Sequence, residues 1–92
     1  MELRRKVRIV NTEGLHARPC HAIVSTALEY GSSLEIRAGD RVVNGKSILE
    51  LMTLKACFGT ELEILARGED AQRLVDALVA LIGVGFGEEM AE

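Results

Sequence analysis

Leu34-Glu35-Ile36-Arg37-Ala38-Gly39-Asp40-Arg41-Val42-Val43 is the stretch that decides the fold. Apolar and charged residues alternate from Leu34 to Arg37, the period-two pattern of a strand with one dry face and one wet face. Ala38-Gly39-Asp40 turns the chain, and Arg41-Val42-Val43 runs back as a hairpin partner. A half-wet hairpin belongs to an antiparallel sheet covered by helices on one side only.

Working outward, Ser47-Ile48-Leu49-Glu50 reads as a capping box, Ser at the N-cap and Glu at N3, opening a short helix through about Leu54. Glu61 to Ala66 alternates again, with Leu62, Ile64 and Ala66 on one face, and Gly68 breaks that strand. Asp70 is expected to cap a last helix whose apolar stripe is Ala71, Leu74, Val75, Leu78, Leu81 and Ile82. Gly83, Gly85 and Gly87 end it, and residues 88–92 read as a frayed tail. On the N-terminal side, Val7 to Val10 is a short strand and Asn11 to Gly14 a turn. Cys20, Ile23, Val24 and Ala27 follow His16 at helical spacing. Pro19 is tolerated because it falls in the first turn, and Gly31 is the expected helix stop. The order β-α-β-β-α-β-α predicts one α+β domain over residues 1–92, a two-layer sandwich of about four strands and three helices.

The bulk numbers suit that domain. Its 48% hydrophobic content includes one Tyr, two Phe and no Trp, so the core must be aliphatic. A net charge of −3 argues against a general nucleic-acid binder. The one dense basic cluster, Arg4, Arg5, Lys6 and Arg8, reads as the solvated edge of the first strand. No signal-peptide pattern occurs, nor the roughly 18 apolar residues of a membrane span. Two cysteines, Cys20 and Cys57, make no disulfide framework, so reduced thiols and a cytoplasmic location are expected.

Asn44-Gly45-Lys46-Ser47 imitates the end of a phosphate-binding P-loop. The motif would need its first glycine at position 40, which is Asp40. A polar turn and a helix cap account for the segment, and no nucleotide or other cofactor is expected.

The chemistry-bearing stretch is Gly14-Leu15-His16-Ala17-Arg18-Pro19. It sets an imidazole at or near the N-cap of the first helix. The first N–H groups of a helix lack internal partners and carry partial positive charge, so an anion is welcome there. A phosphoryl group on His16 would face the N–H groups of Ala17 and Arg18, with the Arg18 guanidinium as a movable cation. No acidic residue adjoins His16 in sequence. His16, Cys20 and His21 could suggest a metal, but only the first two share a helix face and no fourth ligand is in sight, so none is expected.

Gly14 to Pro19 resembles the active-site motif of the HPr family, the histidine phosphocarriers of the bacterial phosphoenolpyruvate-dependent sugar phosphotransferase system. Asn44 to Leu54 resembles the same family's regulatory serine and docking helix, and the likeness runs over about residues 5 to 87. It implies an open-faced sandwich, four antiparallel strands with three helices on one side. It implies that His16 takes a phosphoryl group on Nδ1 from phospho-Enzyme I and gives it to an enzyme II A domain, with Arg18 steadying the transfer. Such a protein is a covalent carrier, not a stand-alone catalyst, and is expected to be monomeric. Ser47 would be the target of an HPr kinase/phosphorylase, with a transcriptional regulator as a further partner. Ile48, Leu49 and Met52 would dock partners, with Leu51 and Leu54 turned inward. Three departures stand out: Cys20 where alanine is usual, His21, which is also unusual and is expected to face solvent, and Ser25, Leu28 and Glu50 where some members are basic. A regulatory phosphoprotein that serves no sugar transport, and a module that keeps only the fold, remain as rival readings.

Overall fold

The computed structural model describes residues 1–89. Strand β1 (Glu2–Arg8) is followed by α1 (Ala17–Ala27), β2 (Ser33–Ala38), β3 (Arg41–Asn44), α2 (Ile48–Met52), β4 (Glu61–Arg67) and α3 (Ala71–Gly83), then a single tight left-handed turn at Gly85–Gly87. The strands form one antiparallel sheet in the order β1-β4-β2-β3. The hairpin pairs Ile36 with Val43, and Ile36 also faces Ile64 of β4. Leu34, Ile36, Val43, Leu62, Ile64 and Ala66 all turn to the buried side, as their alternation predicts. On that side α3 packs across β1 and β4, α2 against β3, and α1 against both other helices. Cys20 and Ile23 of α1 meet Leu51 of α2 and Leu74 and Leu78 of α3 in an aliphatic core. The expected open-faced sandwich is the observed one. Among the described residues no helix is long and apolar enough to cross a membrane.

Five local expectations are corrected. Strand β1 begins at Glu2, five residues before Val7. It is an edge strand on which only Leu3 and Val7 turn apolar side chains toward the core, and three basic residues in a row hide its period. Two of its basic residues are paired across the wet face, Arg4 with Glu63 at 3.5 Å and Arg8 with Glu61 at 3.7 Å, in keeping with a solvated edge. Helix α1 ends at Ala27, before Gly31. The capping box at α2 is half made: Ser47 Oγ accepts from the Glu50 N–H at 3.2 Å, but the Glu50 carboxylate accepts from Asn44 N–H instead of reaching back to Ser47. Residues 88 and 89 are not a frayed tail, since Glu89 accepts from Thr12 N–H at 3.0 Å. The rest of that expectation, residues 90–92, lies outside the described residues.

The fifth correction is Asp70, which stands at the N-cap of α3 but makes no side-chain cap. Its carboxylate accepts from the N–H groups of Gly31 and Ser32, each at 2.9 Å, and from the Ser32 hydroxyl, tying the α1–β2 turn to the start of α3. The Ser32 hydroxyl bond, then the Gly31 N–H, hold this carboxyl below the usual aspartate range. A depressed folded-state pKa contributes stability above the unfolded-chain value, and that contribution is lost as pH falls through the folded value. Asp70→Asn is therefore expected to be less stable than wild type near neutral pH, with the gap closing below about pH 4. Urea midpoints at several pH values measure it, and a gap independent of pH would contradict the assignment.

Lys46, the lysine of the P-loop imitation, is also structural: its Nζ donates to the Tyr30 carbonyl at 2.8 Å.

Candidate functional site

The site is built where β1 hands over to α1. Asn11 is completely buried, and its Nδ2 donates to the Gly14 carbonyl at 2.9 Å. Gly14 N–H returns to the Asn11 carbonyl at 3.2 Å, and Leu15 N–H donates to Ala56 in the loop after α2 at 2.9 Å. This tight loop delivers His16 to the N-cap of α1 in an extended conformation (φ −97°, ψ −168°). The His16 side chain does not cap the helix. Pro19 has no N–H, so Ala17 and Arg18, both exposed, carry the first-turn donors left without a helical partner.

The His16 ring is about one-third exposed. Its Nε2 lies 3.0 Å from both carboxylate oxygens of Glu88 and 3.8 Å from Glu13. An ionised carboxylate can only accept, so Nε2 is the N–H side of the neutral ring and Nδ1 holds the lone pair. Among the described residues nothing hydrogen-bonds to Nδ1. Glu88 is held in turn by Asn11 Nδ2 at 3.1 Å. The bond with His16, aided by Asn11 and opposed by partial burial, keeps the Glu88 carboxyl below its ordinary range.

Glu88 is the residue sequence reasoning missed, having been assigned to the tail. Phe86, ahead of it in Gly85-Phe86-Gly87, was the available signal, because a phenylalanine side chain is more often buried than left in solvent. Asn11, read only as turn chemistry, is the other.

Arg18 is exposed at the mouth of the helix. Cys20 is buried, and burial pushes its thiol pKa up, so it serves as a small apolar side chain and not as a nucleophile. His21 is exposed and apart from the cluster. The donor atoms of Glu13, His16 and Glu88 lie within 4.8 Å of one another. A carboxylate paired to the imidazole N–H explains that proximity without an ion.

The second segment presents what the sequence led one to expect of its surface. Leu49 is 79% exposed and Met52 41%, whereas Leu51 is buried and Leu54 half-buried. Ile48 is half-buried and packs partly on the core. Ser47 is half-buried at the start of α2. Phe58, in the loop that meets Gly14, adds an exposed aromatic ring that sequence analysis did not single out. Clefts of about 530 and 580 Å³ lie at the α1–β2 turn beside Asp70 and along the β2–β3 hairpin, and neither takes in His16.

A family model described as "PTS HPr component phosphorylation site" matches residues 3–83. The phosphocarrier protein HPr of Neisseria meningitidis is 40% identical over 86 residues, spanning 94% of this chain and 97% of that relative. HPr-C-His from Thermoanaerobacter tengcongensis, a crystal structure, superposes with a TM-score of 0.91 at 36% identity, covering 96% of this chain and 99% of the other. A crystal structure of an HPr dimer from the same organism matches with a TM-score of 0.76 at 38% identity, covering 89% and 94%.

Proposed function

The chain belongs to the HPr family of the phosphotransferase system, and we propose that it accepts a phosphoryl group from phospho-Enzyme I on His16 and passes it to an enzyme II A domain in sugar uptake. The observation that carries this reading is the part-exposed His16 ring at an uncapped helix mouth, its Nδ1 without a hydrogen bond among the described residues. Phosphoryl transfer needs positioning and charge stabilisation more than covalent help from the protein. In the acceptance step the Nδ1 lone pair forms the new N–P bond as the donor's bond to phosphorus breaks. The incoming oxygens are then met by the N–H groups of Ala17 and Arg18 and by the Arg18 guanidinium. Handing on reverses the step. The chain is a carrier that leaves each cycle unchanged, and His16, Arg18 and Glu88 all come from one chain, so a monomer suffices. Leu49, Met52 and the outer part of Ile48 form an apolar surface for partner proteins.

Ser47 is the second modification point of the proposal, acted on by an HPr kinase/phosphorylase and read by a transcriptional regulator. Its partial exposure supports this, and capping alone gives the hydroxyl a structural use of about 1 kcal/mol.

One mass-spectrometric series tests both. Incubation with Enzyme I and phosphoenolpyruvate is expected to add a single acid-labile phosphoryl group, absent in His16→Ala. Incubation with the kinase and ATP is expected to add an acid-stable group that persists in His16→Ala and disappears in Ser47→Ala. A folded wild-type chain that Enzyme I from the same source leaves unmodified would overturn the carrier reading. Acceptance without transfer to any A domain would favour the regulatory alternative.

A further inference from the structure

Resting on the carrier reading, we propose that Glu88 is a positioning residue for phosphoryl transfer, one that keeps the proton on His16 Nε2 and balances the positive charge the ring gains when Nδ1 is phosphorylated.

The chain spends conformational strain to put that carboxylate in place. Gly85, Phe86 and Gly87 are three consecutive left-handed residues, at φ 65°, 59° and 77°. Glycine adopts this region freely, but a phenylalanine does so only when its surroundings hold it there. Phe86 is half-buried against the core. Gly87 N–H donates to Val84 at 3.2 Å, Glu88 N–H donates to Gly85 at 2.9 Å, and the Glu89 carbonyl is tied to Thr12. The side chain at the end of this strap accepts from Asn11, which is itself fixed to Gly14 at the entrance of α1. The carboxylate is thus located by groups on both sides of His16 and is only 18% exposed.

The electron count gives this contact its meaning. A neutral imidazole attacks phosphorus through the Nδ1 lone pair, and the Nε2 proton stays where it is. The phosphorylated ring is then a cation, and departure of the phosphoryl group returns the electron pair to Nδ1 and leaves a neutral ring. If the Nε2 proton were lost while the ring was phosphorylated, the leaving group would become an imidazolate, a far poorer one. Glu88 opposes that loss. The other charged groups around the ring are Glu13, more distant and 77% exposed, and Arg18 across the helix mouth. Glu13 works in the same direction as Glu88, screened by water, and Arg18 works against it.

The test compares wild type, Glu88→Gln and Glu88→Ala after chemical phosphorylation with phosphoramidate, whose P–N bond breaks to release ammonia as the Nδ1–P bond forms. No Enzyme I is involved, so failure of the carrier reading and failure of this one are separable. Loss of the phosphoryl group is followed against pH by ³¹P NMR, and the Nε2–H tautomer of the unmodified protein by ¹⁵N shifts. In both variants the midpoint of the acid-labile limb is expected to move to lower pH. Near neutral pH, loss is expected to slow about tenfold, equivalent to ~1.4 kcal/mol. Glutamine, which still offers an acceptor oxygen, should keep the Nε2–H tautomer, while alanine should let the two tautomers mix. Glu88→Gln is isosteric, so altered folding does not cloud the comparison. Midpoints unchanged in both variants would overturn the proposal.

Discussion

Gly14→Ala is expected to destabilise the fold by about 3 kcal/mol and to displace the histidine that follows it. Gly14 has φ +69°, where any residue with a Cβ is strained. The space is also taken. An added Cβ would lie 2.5 Å from the Ala56 carbonyl oxygen and 2.7 Å from the Cys57 Cα. Both are backbone atoms, so neither can swing aside as a side-chain end would. Relief has to come from parting the β1–α1 loop from the loop after α2, which sacrifices the Leu15 N–H to Ala56 bond. The Gly14 carbonyl would move as well, and with it the Asn11 amide that anchors Glu88. Loss of stability and slowing of phosphoryl acceptance should therefore appear together in this variant. Gly31→Ala is the control: Gly31 has no positive φ and nothing within 4 Å of its notional Cβ, so its cost should stay within about 0.5 kcal/mol. Urea denaturation of both variants decides the matter. A Gly14→Ala protein within about 1 kcal/mol of wild type would mean that the two loops are not locked as described.

Gly14 also shows which parts of the molecule could be read from residues alone. The hairpin at Ala38–Arg41 and the stripe of α1 were legible because each is a local periodicity written by burial on one face. The first half of β1 was not, because Arg4, Arg5 and Lys6 stand in a row on an edge strand, and an exposed Arg5 takes the place between Leu3 and Val7 on the face that should be apolar. Asp70 was misread because the N-cap signal is positional. Its carboxylate had two N–H groups and a hydroxyl available from a turn nearly forty residues away, and that pairing leaves no trace in local sequence. At the site the same division holds. His16, Ala17 and Arg18 are contiguous and their chemistry is local. Glu88 reaches His16 across 72 positions, and only the fold can bring it there. Strand order was beyond reach for a similar reason, since β1-β4-β2-β3 is decided by which faces pack together and not by any one period.

Arg18→Glu is expected to slow phosphoryl transfer by at least about a hundredfold while leaving the fold intact. Arg18 is exposed and forms no ion pair or side-chain hydrogen bond among the described residues, so stability should change by no more than about 0.5 kcal/mol. The transition state for transfer spreads negative charge over the three equatorial oxygens of the phosphoryl group. On the proposed reading those oxygens would face two N–H groups of one helix turn, too few donors to balance that charge. A guanidinium can add two parallel donors in one plane. Glutamate in its place both removes them and sets a third carboxylate beside Glu13 and Glu88. Arg18→Ala removes the donors alone and should cost about tenfold, and Arg18→Lys should recover part of that as a point charge. Enzyme I kinetics separate this role from docking. If Arg18 only attracts the partner, the defect falls on KM and fades as the carrier concentration rises or as salt screens the encounter. If it steadies the phosphoryl group, kcat falls and stays low at saturation. Loss confined to KM would remove Arg18 from the transfer step and leave the helix N–H groups and the carboxylate-held ring of His16 to carry it.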